Sequence, residues 1–158
     1  MKKKICFDYV NKYFKKYTHV LEVGCGKNPM ICLFPDKYYI GVDKNVKTEG
    51  CIINKNVKSL GFKDNFFDIA CGIFFLKMTC KNLEPCIKEI CRVTKQGCIF
   101  IEPLYEHQNI KRKIKTKQGY FADDIVLSLK KYFPIVFVEK HVYNDRKNDY
   151  SCIICKKR

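Results

Sequence analysis

HVLEVGCGKNPMICLFPDKYYIGVDKN, residues His19–Asn45, decides the fold of this 158-residue chain. His19–Val23 is a short, mostly apolar run and is predicted to be a strand. Gly24 and Gly26 come next, where glycine lets the backbone turn sharply and approach a ligand closely. Asn28 tolerates a left-handed conformation, and Pro29 suits the first turn of a helix. Tyr38–Val42 is predicted to be the next strand, with Asp43 at its C-terminal tip. In a parallel sheet both tips lie on one edge, the edge at which open α/β folds bind ligands. An acid there accepts both hydroxyls of a ribose in charge-assisted hydrogen bonds. The stretch is therefore predicted to be a nucleoside-binding half-site.

Two kinds of nucleoside cofactor compete for such a site. Dinucleotide-binding turns need a third glycine three residues after the second, so that helix and strand pack closely and the pyrophosphate meets the helix N-terminus. That position is Pro29, and the turn carries no phosphate-binding lysine motif. The pattern E-V-G-C-G-x-N-P over Glu22–Pro29 instead resembles motif I of class I S-adenosylmethionine-dependent methyltransferases, whose cofactor has no phosphate. Asn56–Phe75, NVKSLGFKDNFFDIACGIFF, resembles the family's adenine-contacting loop and fourth strand. Leu60, Gly61 and Phe62 stand at its apolar step, and Asp64, Asn65, Phe67 and Asp68 match the remainder of the pattern. Asn56 occupies the place of the usual acid, and its amide oxygen can still accept from an adenine amino group. Glu89–Pro103, EICRVTKQGCIFIEP, resembles the helix, turn and fifth strand, with Gln96-Gly97-Cys98 replacing the usual Pro-Gly-Gly. The resemblance runs from Thr18 to Pro103 in the family's order.

It is closest to small, single-domain, type-11-like members and implies an α/β fold. That fold is a Rossmann-like, doubly wound, mostly parallel seven-stranded sheet in the order 3-2-1-4-5-7-6, with strand 7 antiparallel and helices on both faces. The cofactor implied is S-adenosyl-L-methionine. Glu22, Gly24 and Gly26 would shape its amino-acid pocket and Asp43 would take the ribose, with Cys25, Asn28 and Lys44 also among the cofactor-binding residues. Asn56 and Val57 would contact the adenine, with Cys71 on the fourth strand as a further contact.

The length suits one domain with a single substantial core. It divides into an N-terminal helix (1–17), a cofactor-binding half (18–103) and a substrate-side half (104–158). A hydrophobic content of 47% and an aromatic content of 14% point to a globular protein rather than a disordered one. No secretory signal is visible in Met1–Phe14, and no run approaches eighteen apolar residues, so no membrane association and a cytoplasmic location are expected. Eleven cysteines are present, but the lone C-x-x-C, Cys152 and Cys155, falls in a predicted strand, and His19, His107 and His141 are scattered. No metal site is expected, because structural zinc needs paired ligand clusters; the cysteines are expected to pack as small hydrophobes.

The remaining pattern is helical at Ile5–Tyr17, with Ile5, Tyr9, Tyr13, Phe14 and Tyr17 on one stripe. A helix is expected after the glycine turn, and Cys51–Asn54 and Phe67–Cys71 make the third and fourth strands. Asn82 caps a helix with Leu83, Cys86, Ile87, Ile90 and Val93 inward, which Gly97 stops before strand Cys98–Ile101. Asp123 caps a last helix carrying Ile125, Val126 and Leu129. Pro134–Val142 and Tyr150–Cys155 close the sheet as a long hairpin.

Methyl transfer from a sulfonium needs positioning more than a protein nucleophile. Tyr105 and His107, just past the fifth strand, are the candidate bases should the acceptor begin protonated. The Asn-Pro-Pro-Tyr and Pro-Cys signatures of DNA methyltransferases are missing after Cys71-Gly72-Ile73-Phe74, and Lys77-Met78 stands where small-molecule enzymes often have Glu-His. The net charge is +15, and Lys111, Arg112, Lys113, Lys115 and Lys117 crowd into seven residues. An anionic acceptor or carrier is therefore expected, whether nucleic acid, acidic protein or small metabolite, unless the cluster is only a solvated face. The oligomeric state is open, with a homodimer among the alternatives. The rival to an enzyme is a catalytically silent S-adenosylmethionine-binding or scaffold protein.

Overall fold

The computed structural model describes residues 1–46, 52–79, 83–104, 122–144 and 149–158. Its seven strands are β1 (His19–Val23), β2 (Tyr38–Asp43), β3 (Ile52–Asn54), β4 (Phe67–Ile73), β5 (Thr94–Glu102), β6 (Ile135–Asn144) and β7 (Asp149–Lys156). Among the described residues the α-helices are α1 (Lys2–Tyr13), α2 (Phe75–Thr79), α3 (Leu83–Val93) and α4 (Ala122–Lys130). The strands form one sheet in the order β3-β2-β1-β4-β5-β7-β6, in which β7 runs antiparallel to both of its neighbours and the other pairings are parallel. This is the order the family resemblance implies. No helix among the described residues is long and apolar enough to cross a membrane.

The strands' alternation sorts side chains onto two cores. On one face Phe67, Cys98, Phe100, Ile153 and Cys155 meet Cys86, Ile87 and Ile90 of α3 and Ile125 and Leu129 of α4. On the other, Ile69, Cys71, Ile99, Ile101, Cys152 and Ile154 meet Cys6 and Val10 of α1. Cys152 and Cys155 thus point to opposite faces, each fully buried. Burial pushes the Cys98 thiol up; Cys71 is raised by its hydrogen bond to Cys6 and by burial. Protonated and enclosed, these thiols pack as small apolar groups.

Three expectations change. The crossover from β1 to β2, residues 24–37, holds a single 3-10 turn (Ile31–Leu33) instead of a helix. Fourteen residues that begin with two left-handed glycines and contain Pro29 and Pro35 leave no room for several helical turns. Met30 and Phe34 of this crossover, both buried, fill that face beside α1. Gly97 does not end α3, because β5 begins immediately at Thr94 and Gly97 lies inside it. There it pairs with Lys156 of β7 at φ +148°, and a Cβ would fall 2.0 Å from the carbonyl oxygen of Cys155. Asp123 lies inside the first turn of α4, where its charge complements the helix N-terminus, rather than capping it. Asn82 and Cys51 lie outside the described residues.

The acids that carry the family resemblance around the fourth strand are structural. Asp64 pairs with Arg92, which also clasps Glu89 (2.8 Å) and donates to the carbonyl of Phe62 (2.8 Å). Glu89 in turn accepts the N–H of Leu60 (2.8 Å), so the loop before β4 is bolted to α3. Asp68 accepts the N–H groups of Thr18 (2.7 Å) and His19 (2.9 Å), the Thr18 hydroxyl (2.9 Å) and the Lys95 ammonium (3.1 Å). Burial works to raise its pKa, but these donors overcome that and lower it from 3.8 to about 2.

Gly97→Ala should lower the stability read from urea denaturation by more than about 2 kcal/mol, since neither the backbone angle nor the approach of β7 admits a Cβ; an unchanged midpoint would refute the close packing. Asp68 has a folded pKa below its unfolded one, so its contribution is present above about pH 4 and lost as pH falls through about 2. Asp68→Asn should therefore cost about 2 kcal/mol at neutral pH, and the gap to the parent should narrow on acidification over that window.

Candidate cofactor site

At the C-terminal edge of β1, β2 and β4 the backbone opens into a cavity of about 370 Å³. Its centre is the glycine turn. Gly24 adopts φ +69°, and its N–H and that of Cys25 both donate to the carbonyl of Val42 at the end of β2 (2.8 and 3.2 Å). A Cβ at Gly24 would press on the Phe75 ring at 3.2 Å, so glycine serves both the turn and the space beside it. One residue beyond Val42, Asp43 accepts the Gly26 N–H on Oδ2 (3.1 Å) and the Asn45 N–H on Oδ1 (2.8 Å). Each carboxylate oxygen retains acceptor capacity after this, aimed by a rigid backbone frame.

Of the residues expected to hold the cofactor, Gly24, Asp43, Lys44, Asn56 and Val57 line the cavity together. Asn56 Oδ1 accepts the Lys58 N–H (3.1 Å), which holds the side chain in place with a second lone pair to spare. The others act from behind. Gly26 fixes Asp43. Cys25 packs its sulfur against Gly41, where a Cβ would lie only 3.0 Å from Sγ. Asn28 is exposed and offers its carbonyl to the Lys3 ammonium of α1.

Glu22 is 3% exposed and faces the α1 side of the sheet, accepting the Met30 N–H (2.7 Å) and the Tyr39 hydroxyl. Burial raises its pKa, against the lowering effect of those two donors, and burial beside Glu22 also raises the Tyr39 phenol. It shapes the turn from below and does not line the cavity. The Cys71 side chain does not line it either: it is fully buried in the α1-side core. Tyr105 and His107 lie outside the described residues, as does the basic segment 111–117.

Sequence reading overlooked one part of the cavity wall. Ile73, Phe74, Phe75, Met78 and Thr79, from the end of β4 and α2, line it, with Cys86 of α3 and Lys55 and Lys58 on the adenine-loop side. Phe74 sits at φ +61°, a strained angle for an aromatic residue, and the Lys2 ammonium lies 4.8 Å from its ring centroid. Phe74 and Phe75 pack on opposite faces of the sheet. The only local signal was an aromatic pair at the tip of a buried strand. Glu102, at the end of β5, holds α2 in position by accepting the N–H groups of Leu76 (2.7 Å) and Lys77 (3.3 Å). Burial raises its pKa from 4.5 to about 8, against the lowering effects of those N–H groups and the Lys77 charge.

The cavity fits S-adenosylmethionine. It offers a fixed carboxylate for a ribose, the apolar side chains of Val57 and Phe75 for a purine, and glycine backbone at the sharp turn. A methyltransferase-domain profile matches residues 21–101, more than half of the chain, and the chain belongs to this family of S-adenosylmethionine-dependent methyltransferases. Solved structures share the fold. A SAM-dependent methyltransferase from Methanosarcina mazei aligns with a TM-score of 0.71 at 18% identity, covering 94% of this chain and 95% of that one. Magnesium protoporphyrin IX methyltransferase from Synechocystis PCC 6803, with S-adenosylhomocysteine bound, aligns with a TM-score of 0.74 at 13% identity over 99% and 82% of the two chains. A SAM-dependent methyltransferase from Thermotoga maritima gives 0.65 at 18% identity over 99% and 89%. No curated protein matches the sequence.

Isothermal titration with S-adenosylhomocysteine should show binding that Asp43→Ala weakens at least about tenfold, since two charge-assisted hydrogen bonds are lost. Cys71→Ala should leave the affinity within about threefold. Equal binding by Asp43→Ala, or loss with Cys71→Ala, would move the site elsewhere.

Proposed function

We propose that this chain transfers the methyl group of S-adenosylmethionine to an anionic acceptor, or to an acceptor carried by an anionic partner, in the cytoplasm. The observation that carries the acceptor's class is the charge around the cavity. Lys44, Lys55 and Lys58 line it, and Asp43, already engaged by two backbone N–H groups, is the one acid among the described lining residues. A net charge of +15 extends the same bias over the whole chain.

When bound, the cofactor supplies an electrophilic methyl group on a sulfonium, so the protein needs no nucleophile of its own. The chain's residues bind, orient and exclude water. Asp43 is held ready to accept ribose hydroxyls, Asn56 offers its remaining lone pair to an adenine amino group, and Val57 and Phe75 present apolar surface. Glu102 and the strained Phe74 keep α2, and with it Met78 and Thr79, at the cavity wall. His107 and Tyr105, which come after β5 in sequence, are the candidate bases for an acceptor that begins protonated.

The test is incubation with methyl-labelled cofactor and cell extract, then fractionation into nucleic acid, protein and small molecules. Label should accumulate in an anionic class, at least about tenfold more slowly with Asp43→Ala than with the parent. Label in a neutral or cationic small molecule would overturn the acceptor class, and silence in every fraction alongside intact cofactor binding would favour a binding or scaffold role.

A further inference from the structure

A second cleft lies at the other end of the sheet, where β5 begins and β7 ends. It has a volume of about 730 Å³. Lys95, Lys156, Lys157 and Arg158 line it, with no Asp or Glu among the described lining residues. The nine residues of β5 separate it from the cofactor edge, about 26 Å at 3.3 Å per residue. Among the described residues it shares no lining residue with the cofactor cavity.

Its charges are held at neutral groups. The Lys156 ammonium lies 5.5 Å from the Tyr13 ring centroid and 5.9 Å from that of Phe14, both at the cleft wall. The Lys157 ammonium meets Asn65 Oδ1 (3.2 Å) and the carbonyl of Thr94. Neither forms an ion pair with a carboxylate among the described residues, so both carry their full charge to the surface. Lys95 is the exception, shared with Asp68 at 3.1 Å. Lys15 and Lys16, exposed and next in sequence to Phe14, extend the basic surface beyond the cleft.

We infer that this cleft binds the phosphodiester backbone of a single-stranded nucleic acid, independently of the cofactor site. Anchored rings and carbonyls hold ammonium groups at set positions without neutralising them, and lysine is a compact point charge suited to phosphate oxygens. The amides of Gln96 and Asn65 at the same wall offer donors and acceptors to exposed base edges. An acidic protein is the weaker fit: protein interfaces are depleted in lysine and enriched in arginine, whereas this cleft has three lysines to one arginine. The site would tether a strand at one pole of the sheet while the opposite pole holds the cofactor.

The test is fluorescence anisotropy of a labelled 12-mer oligouridylate with the full chain across a potassium chloride series. Lys156→Glu/Lys157→Glu should weaken binding at least about tenfold at 100 mM salt and lower the log–log salt slope by about 1.4, two phosphate contacts' worth for a single strand. Because Lys157 also supports the carbonyl of Thr94, the neutral pair Lys156→Gln/Lys157→Gln is measured as well. It should weaken binding about threefold or more while S-adenosylhomocysteine affinity, and so the fold, stays unchanged. Loss of binding on reversing Lys111, Arg112 and Lys113 instead, with both cleft variants at parental affinity, would overturn the inference. So would tighter binding of a 12-mer oligoglutamate than of the oligonucleotide, which would make the cleft a site for acidic protein.

Discussion

A buried carboxylate carries the architecture of the cofactor edge. Glu22 leaves water to accept the Met30 N–H and the Tyr39 hydroxyl, tying the far end of the glycine turn to the strand that carries Asp43. Desolvating that carboxyl is unfavourable, and two donors are what make it tolerable. Crossovers in this fold usually satisfy their backbone groups within a helix. This chain, with fourteen residues and one 3-10 turn, satisfies them through side chains and through the carbonyl of Val42. The turn is consequently held from both sides, by Glu22 beneath and by Val42 and Asp43 beside it, and the cavity inherits its shape from that frame.

The same economy recurs elsewhere. Asp68 gathers the start of β1 and the Lys95 ammonium, the Arg92–Glu89 clasp fixes the loop that leads into β4, and Glu102 takes the first N–H groups of α2. Each of these carboxyl groups accepts from backbone N–H groups, at the start of β1, in the loop before β4 and in the first turn of α2. With sixteen acids against thirty-one bases, few are left to neutralise the surface. Part of the basic excess lines the cofactor cavity, as Lys44, Lys55 and Lys58, and the cleft between β5 and β7, as Lys95, Lys156, Lys157 and Arg158.

Packing of the two faces is uneven. α3 and α4 cover one with aliphatic residues, while α1 and the short crossover cover the other with Cys6, Phe14, Tyr17, Met30 and Phe34. Aromatic rings and polarizable sulfur fill the volume that helices would otherwise occupy. Phe7 meets Phe34 edge-on with centroids 5.1 Å apart, and Phe34 stacks on Tyr39 at 5.9 Å. Buried cysteines are shared between the faces, with Cys86, Cys98 and Cys155 on one and Cys6, Cys71 and Cys152 on the other.

What the sequence by itself determined was everything set by local pattern. The apolar alternation of the strands, the glycines of the turn, Asp43 at a strand tip and the inward stripe of α3 were all legible, because each depends on neighbours a few residues away. From their order came the sheet and half of the cavity wall. Tertiary structure alone decided the rest. Glu22 and Cys71 belong to the same motifs as true cavity residues, yet strand pleating and the cover provided by α1 send them to the buried face. Gly97 resembles a helix stop, but the approach of β7 from more than fifty residues away makes it a contact point within a strand. Phe74 and Phe75 join the cavity lining where α2 is held by Glu102, a pairing across 26 residues that no local periodicity encodes.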